Sequence, residues 1–423
     1  MDKKMRNRGP IVTAAGTGIN LALGVLYAWS IFKGAIRDSI EHGTGFTWDL
    51  ASLNDPYAIC CLVFSFVMIA AGRVQDLIGP RTAAIIGGVL VGLGFIWISQ
   101  TTAYWSWVMG FGVLIGAGIA FGYSAATPAA LKWFPPKRTG MISGIVVSGF
   151  GLASVYIAPL AKYLLDGWGL QKAMLFFGIG FFLVVSALAT LLKNPPRGYV
   201  PGGRPAPGTE GAHRTEKAET DISAGMMIRS RDFWVLWTLY FIGAGAGLMV
   251  IGSMAGMAKN SMGDKAFWAV AILAIGNAGG RIAAGILSDR IGRKQTLIAI
   301  FVGQAVLMFM AAPIIIYGGQ SATLLVLIAT SIGFNYGANL ALFPSFTKNL
   351  WGMKNFGVNY GVLFTAWGVG GLVMSKFSQW LFARTGAFTD SLLLAGVLLV
   401  ASVMLTPLIR DQRHSGTEGT TAA

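Results

Sequence analysis

Gly72-Arg73-Val74-Gln75-Asp76-Leu77-Ile78-Gly79-Pro80-Arg81 returns as Gly285-Ile286-Leu287-Ser288-Asp289-Arg290-Ile291-Gly292-Arg293-Lys294. Glycine, aspartate and second glycine are each displaced by 213 residues (72/285, 76/289, 79/292). One such stretch would be an ordinary charged turn, but two in register are a repeat. Each copy follows a long apolar run and precedes another. A weaker echo, Gly118-x3-Gly122 against Gly333-x3-Gly337, is offset by 215. A repeat in which both halves keep the same orientation relates them by an axis along the membrane normal.

The apolar runs make this a membrane chain. Its 423 residues are 54% hydrophobic and 12% charged, with mean hydropathy +0.64. A soluble domain carries roughly 25% charged residues. The runs are too long for barrel strands and do not alternate, so they read as helices of about 20 residues. Twelve are expected, near 11–32, 56–77, 82–100, 105–131, 140–164, 172–192, 233–257, 266–287, 295–317, 321–346, 357–382 and 389–409. The basic start (Lys3, Lys4, Arg6, Arg8) mimics a signal peptide, but the apolar run behind it is long and lacks a clear cleavage site. It reads as the first span.

The fold expected is therefore all-α, with twelve transmembrane helices in two six-helix bundles. The first bundle covers 1–192 and the second 233–409. Between them, 193–232 is rich in Pro, Gly and charge and reads as a mobile cytoplasmic linker; 410–423 reads as a polar tail. Of 32 Lys and Arg, 23 fall on the side holding both termini, 7 on the other side, and Arg281 and Lys376 inside spans. By the positive-inside rule both termini are expected to be cytoplasmic, and the expected location is the cell (inner) membrane. The same rule accounts for the net charge of +15 without nucleic acid. The two cysteines, Cys60 and Cys61, are adjacent, and His42, His213 and His414 lie in polar segments, so neither a disulfide framework nor a metal site is expected. No cofactor motif is present. The lipid bilayer is the one partner read from composition, and an accessory subunit is not legible.

The loop pattern Gly-x3-Asp-x2-Gly-x-Arg/Lys, present twice, resembles the signature of the major facilitator superfamily. Glycine permits close helix approach. The aspartates Asp76 and Asp289 are placed to cap a neighbouring helix start, and Arg81 and Arg293 to tie the loops. Together these charges would latch the outward-open state. A narrower likeness rests on Arg229-x2-Asp232-Phe233-Trp234-Val235-Leu236-Trp237, Trp133-Phe134-Pro135-Pro136-Lys137-Arg138, Asn277-x3-Arg281 and Asn359-Tyr360-Gly361. These are similar to the monocarboxylate transporters and the oxalate/formate antiporters, over essentially the whole chain. The resemblance implies alternating access around a central cavity.

Arg281 is the residue on which a function can be hung. It sits in Ile275-Gly276-Asn277-Ala278-Gly279-Gly280-Arg281-Ile282-Ala283-Ala284-Gly285, with about six further residues before the loop charges. An arginine at a helix centre costs roughly 2.5–3.5 kcal/mol on insertion scales. A helix-end arginine would escape by snorkelling; this one is too deep. Its planar fork suits a carboxylate, and Asn277 shares its face one turn away. The expected ligand is a small monocarboxylate anion such as L-lactate or pyruvate, carried with a proton.

Lys376 is a possible second cation, though it lies near a helix end and snorkels equally well. The antiporter branch implies a lysine six residues after the glycine of Asn-Tyr-Gly; here that position is Trp367. One cation with an aromatic suits a monoanion with a short apolar tail, such as lactate, pyruvate or acetate, although Trp367 also reads as packing. Tyr27, Tyr123, Asn335, Tyr336, Asn339 and Phe364 are further candidates for the binding cavity, with Asn20, Ser30, Ser148 and Tyr240 behind them; for each, interhelical hydrogen bonding is the competing role. No Asp, Glu or His lies near mid-membrane. Many mammalian-type relatives have aspartate where this chain has Asn277, so a side-chain proton relay has no evident carrier. Proton symport is expected from the resemblance, with carboxylate exchange as the alternative. No nucleophile, paired carboxylates or phosphate-binding loop supports an enzyme or an ATP-driven pump.

Overall fold

The computed structural model describes residues 7–196, 199, 201, 221–262, 266–317, 322–386 and 388–410; side chains of 251–262, 266–271, 312–317, 322, 323 and 325 are not described. All regular structure among these residues is helical. Ten stretches are long and apolar enough to cross a bilayer. One of them holds two spans, and the helix Ala266–Ile291 adds another, which gives twelve.

Span one is α1 (Gly9–Leu23), a 3₁₀ stretch Gly24–Ala28 and α2 (Trp29–Glu41). It outruns the expected end at 32 because Phe32 and Ile36 remain fully buried. The 3₁₀ break falls where span one crosses span five. A side chain at Gly24 would run into Ala153 and the Phe150 carbonyl. Spans two and three are α3 (Asp55–Ile78) and α4 (Pro80–Ile98). Span four is α5 (Tyr104–Trp107), a π-helical segment Val108–Ile115 and α6 (Gly116–Leu131). Its Gly112 and Gly116 lie against Ile59 and the Cys60 backbone of α3, so this glycine pair does serve close helix contact.

Spans five and six are continuous in α7 (Thr139–Ala189), broken only at Gly169 with φ 77° and ψ 171°. After the short α8 (Ala224–Ile228) come α9 (Arg231–Met262), α10 (Ala266–Ile291), α11 (Arg293–Tyr317), α12 (Ala322–Trp351), α13 (Phe356–Thr385) and α14 (Thr389–Leu405). The two motif loops turn alike: Gly79 and Gly292 both take φ 95°, a conformation other residues rarely adopt.

The described ends of the expected linker make defined contacts. Residues 197, 198, 200 and 202–220 lie outside the described residues, as does the tail from 411. At the near end, the Tyr199 ring packs on Trp133. At the far end, the Ile222 N–H donates to Trp351 O at 3.1 Å and Asn359 Nδ2 donates to Ile222 O at 2.9 Å. The Asp221 carboxylate accepts the Lys354 N–H at 3.0 Å. Composition alone reads this end as loose because it does not reveal such docking.

The halves meet along two seams, α3 against α13 and α7 against α10. Both seams are lined with glycine on the side of the membrane that carries the motif loops. Gly72 faces the Gly357 backbone, and Gly140 faces the Gly285 backbone, each too closely for a side chain.

Candidate substrate site at the seam

The motif aspartates cap helices of the opposite half. Asp76 ends α3 and accepts from the N–H groups of Gly357 and Val358, both at 3.0 Å, in the first turn of α13. Asp289 ends α10 and accepts from Gly140 and Met141, both at 2.8 Å, in the first turn of α7. Each carboxylate thus takes two orphan donors and sits at the positive end of a helix dipole. Buried Lys348, read from sequence as a loop residue, joins the second clasp by donating from Nζ to Thr139 Oγ1 at 3.2 Å. Arg293 is half-buried within electrostatic reach of Asp289. Arg81 is not its equivalent. It is exposed, and the bases within reach of Asp76 are Lys132 and Arg73. By the 213-residue offset Pro80 stands where the second copy has Arg293, and Arg81 corresponds to Lys294.

Arg281 lies ten residues from the motif-side end of α10, about 15 Å at 1.5 Å per residue. It is fully buried at the α7–α10 seam. Its Nε donates to Asn277 Oδ1 at 2.9 Å, so the pair one helical turn apart does interact. Its Nη1 donates to Val147 O of α7 at 2.6 Å, reaching into the other half. Its Nη2 is buried with no partner. The guanidinium passes over Gly151, where a Cβ would come within 3.3 Å of Nε. No ion pair to Arg281 occurs among the described residues.

Around it lies an aromatic enclosure drawn from both halves. From the first half come Tyr27, Phe64, Tyr123 and Phe150; from the second come Tyr240, Tyr336, Tyr360, Phe364 and Trp367. Phe64 bridges the seam, with ring centroids 5.0 Å from Phe364 and 5.4 Å from Trp367. Phe364 stacks on Trp367 at 5.1 Å. Tyr123 packs on Phe150 and Phe364, both at 5.5 Å. Tyr27 and Tyr336 share a hydrogen bond of 3.1 Å across the halves, and Trp367 Nε1 donates to the Tyr336 hydroxyl at 2.8 Å. Tyr123, Tyr240 and Tyr336 are within electrostatic reach of Arg281.

Three of the expected site residues lie elsewhere. Asn335 and Asn339 do share a face, but it turns towards α11. Asn339 donates to Gln304 Oε1 at 3.2 Å, and Asn335 approaches Gly303. Asn339 joins α12 to α11 within the second half and leaves its Oδ1 without a partner, while Asn335 Nδ2 donates to Ser331 O of its own helix at 3.0 Å. Lys376 is exposed on α13 beside exposed Phe377. Nine residues past Trp367, it is on the opposite face, so no second cation enters the enclosure from it. Among the lesser candidates, Asn20 ties α1 to α7 through Val146 O at 2.8 Å, Ser148 bonds back to its own helix, and Ser30 is exposed.

Phe64, Phe150 and Val147 were not legible as site residues. An apolar side chain in an apolar span gives no signal, and a backbone carbonyl gives none anywhere. Tyr360 was visible only within the Asn-Tyr-Gly motif.

The model of the Major Facilitator Superfamily matches residues 11–375 and 244–420. The chain belongs to this superfamily. It is therefore a multi-pass membrane transporter and not an enzyme. Among characterised relatives, the oxalate:formate antiporter of Oxalobacter formigenes is 26% identical over 351 residues, covering 81% of this chain and 77% of the relative. Monocarboxylate transporter 11 of Homo sapiens is 26% identical over 406 residues, covering 93% and 81%. A solved proton:xylose symporter of the superfamily, XylE, superposes with a TM-score of 0.70 at 14% identity, covering 96% of this chain and 97% of that one, which bears on the fold alone.

Proposed function

We propose that this superfamily member carries small monocarboxylates of the L-lactate/pyruvate class by proton-coupled symport. The observation that carries the reading is Arg281, wholly buried, free of any acidic partner among the described residues, and left with one unsatisfied nitrogen. A buried guanidinium without a counter-ion is costly unless an anion arrives to accept from it. A carboxylate can accept at Nη2 and compete with Val147 O for Nη1, giving the paired geometry that suits arginine. The aromatic walls take a short apolar remainder. Trp367 and Phe364 offer no second positive charge, which disfavours a dianion.

The two bundles, 1–192 and 233–409, rock about this site in alternating access. The loop motifs face the cytoplasm of the cell (inner) membrane, as do both termini, in keeping with the 23-to-7 distribution of Lys and Arg. The paired Asp76 and Asp289 clasps hold the cytoplasmic side shut and so favour the outward-open state. Binding loosens the Arg281–Val147 link between halves and lowers the barrier to exchange. Asn277 orients the guanidinium without carrying a proton, so the proton enters with the substrate carboxyl group.

The test is uptake of labelled L-lactate into proteoliposomes, with and without an inward proton gradient, and with formate or oxalate loaded inside. Stimulation by the gradient alone supports symport. Uptake that ignores the gradient and requires an internal carboxylate establishes exchange instead, the reading favoured by the antiporter relative. Uptake of neither lactate nor oxalate under any arrangement rejects a carboxylate carrier.

A further inference from the structure

Two hydroxyls in the enclosure around Arg281 lack a well-formed hydrogen bond, as its Nη2 does. Tyr240 and Tyr360 are buried; their hydroxyls reach each other and, from Tyr360, the Tyr123 hydroxyl, but none of these contacts has good hydrogen-bond geometry. Both approach the hydroxyl of Tyr123, which is itself within electrostatic reach of the arginine. Their rings are not free to turn away. Tyr240 lies flat on Phe343, with centroids 3.9 Å apart and planes 9° from parallel. Tyr360 stacks on Phe356 at 5.9 Å and meets the Phe364 edge at 5.7 Å. The other tyrosine pair, Tyr27 and Tyr336, is satisfied mutually and by Trp367. Unspent hydrogen-bonding capacity is therefore concentrated beside the guanidinium.

Burying a hydroxyl without a partner is unfavourable, and two held rigidly together are poorly explained by packing alone. A phenol is a neutral group that both donates and accepts. It fits an oxygen substituent next to a carboxylate, whether carbonyl or hydroxyl, and brings no positive charge to offset a second carboxylate. We propose that Tyr240 and Tyr360 bind the oxygen on carbon 2 of the substrate and make the carrier select 2-oxo and 2-hydroxy acids over plain alkanoates. The inference rests on the carboxylate reading above and adds the residues that set selectivity within it.

Pyruvate and propionate share chain length and charge and differ at carbon 2, so the pair isolates this interaction. Labelled uptake of each is measured in proteoliposomes holding the wild type, Tyr240→Phe or Tyr360→Phe. The wild type should prefer pyruvate in kcat/KM by at least about tenfold, the worth of one hydrogen bond near 1.4 kcal/mol. Each phenylalanine variant should lose most of that preference because kcat/KM falls further for pyruvate than for propionate, and the propionate uptake that remains reports that the carrier is folded. Equal weakening for both acids, or an intact preference in the double variant, overturns the proposal. A wild type that moves both acids equally overturns it while leaving the carboxylate reading in place. A wild type that moves neither overturns both.

Discussion

Replacing Arg281 with lysine keeps the charge and removes the fork. In the structure, three nitrogens have three separate tasks: Nε holds Asn277, Nη1 holds Val147 O, and Nη2 is unpaired. An ammonium is a point charge that cannot hold Asn277 and offer two parallel bonds to a carboxylate. The loss is therefore at least one charge-assisted hydrogen bond, roughly 1.5–3 kcal/mol. That converts to an affinity about 10- to 150-fold weaker. Removal of the charge in Arg281→Ala should cost more, roughly 3–5 kcal/mol, because the bound carboxylate then lies buried and unpaired. Binding is measurable without transport, since Trp367 lies in the enclosure and its fluorescence should respond to pyruvate titration. Arg281→Lys should retain weak, saturable binding, and Arg281→Ala should show none in the millimolar range. Wild-type affinity in the lysine variant would refute the forked geometry. Wild-type affinity in the alanine variant would refute the site.

The remaining expectations are simpler. Asp76→Ala or Asp289→Ala should each remove a double helix cap worth about 1 kcal/mol. Hydrogen exchange should then quicken at Gly357 and Val358, or at Gly140 and Met141; protection unchanged at those amides would show that the clasps are not held in the membrane. Gly337→Ala should push α10 from α12, because its Cβ would meet the Asn277 carbonyl; a fall in thermal midpoint of several degrees is expected, and an unchanged midpoint would contradict that packing. Asn339→Ala should lower stability by about 1 kcal/mol through Gln304 while leaving pyruvate KM alone. Lys376→Ala should change neither stability nor KM, and a raised KM would place that amine in the anion path.

Arg281 and the two aspartates were legible because each breaks a rule of its surroundings. A charge in hydrocarbon and an acid repeated at a fixed interval are conspicuous in any apolar sequence. Asn277 followed from helix periodicity alone. Asn335 and Asn339 misled for the same reason: periodicity tells which residues share a face, but not which neighbour that face meets. Lys348 was hidden by the boundary of its helix, which the sequence placed too early. Arg81 and Arg293 were read as equivalent, but the repeat offset puts Pro80 at the Arg293 position and Lys294 at the Arg81 position. The phenylalanines that close the enclosure carry no signal at all, since their chemistry is that of every span around them.

The crossed aspartates also bear on how the molecule could be divided. A polypeptide of six spans made alone would have one helix beginning with bare amides and one acid with nothing to cap. Its counterpart would have the matching vacancy. Two such fragments, produced from separate transcripts in one cell, are complementary at both ends of the join and are expected to reassemble without the covalent connection; no transport recovered from the pair would count against this.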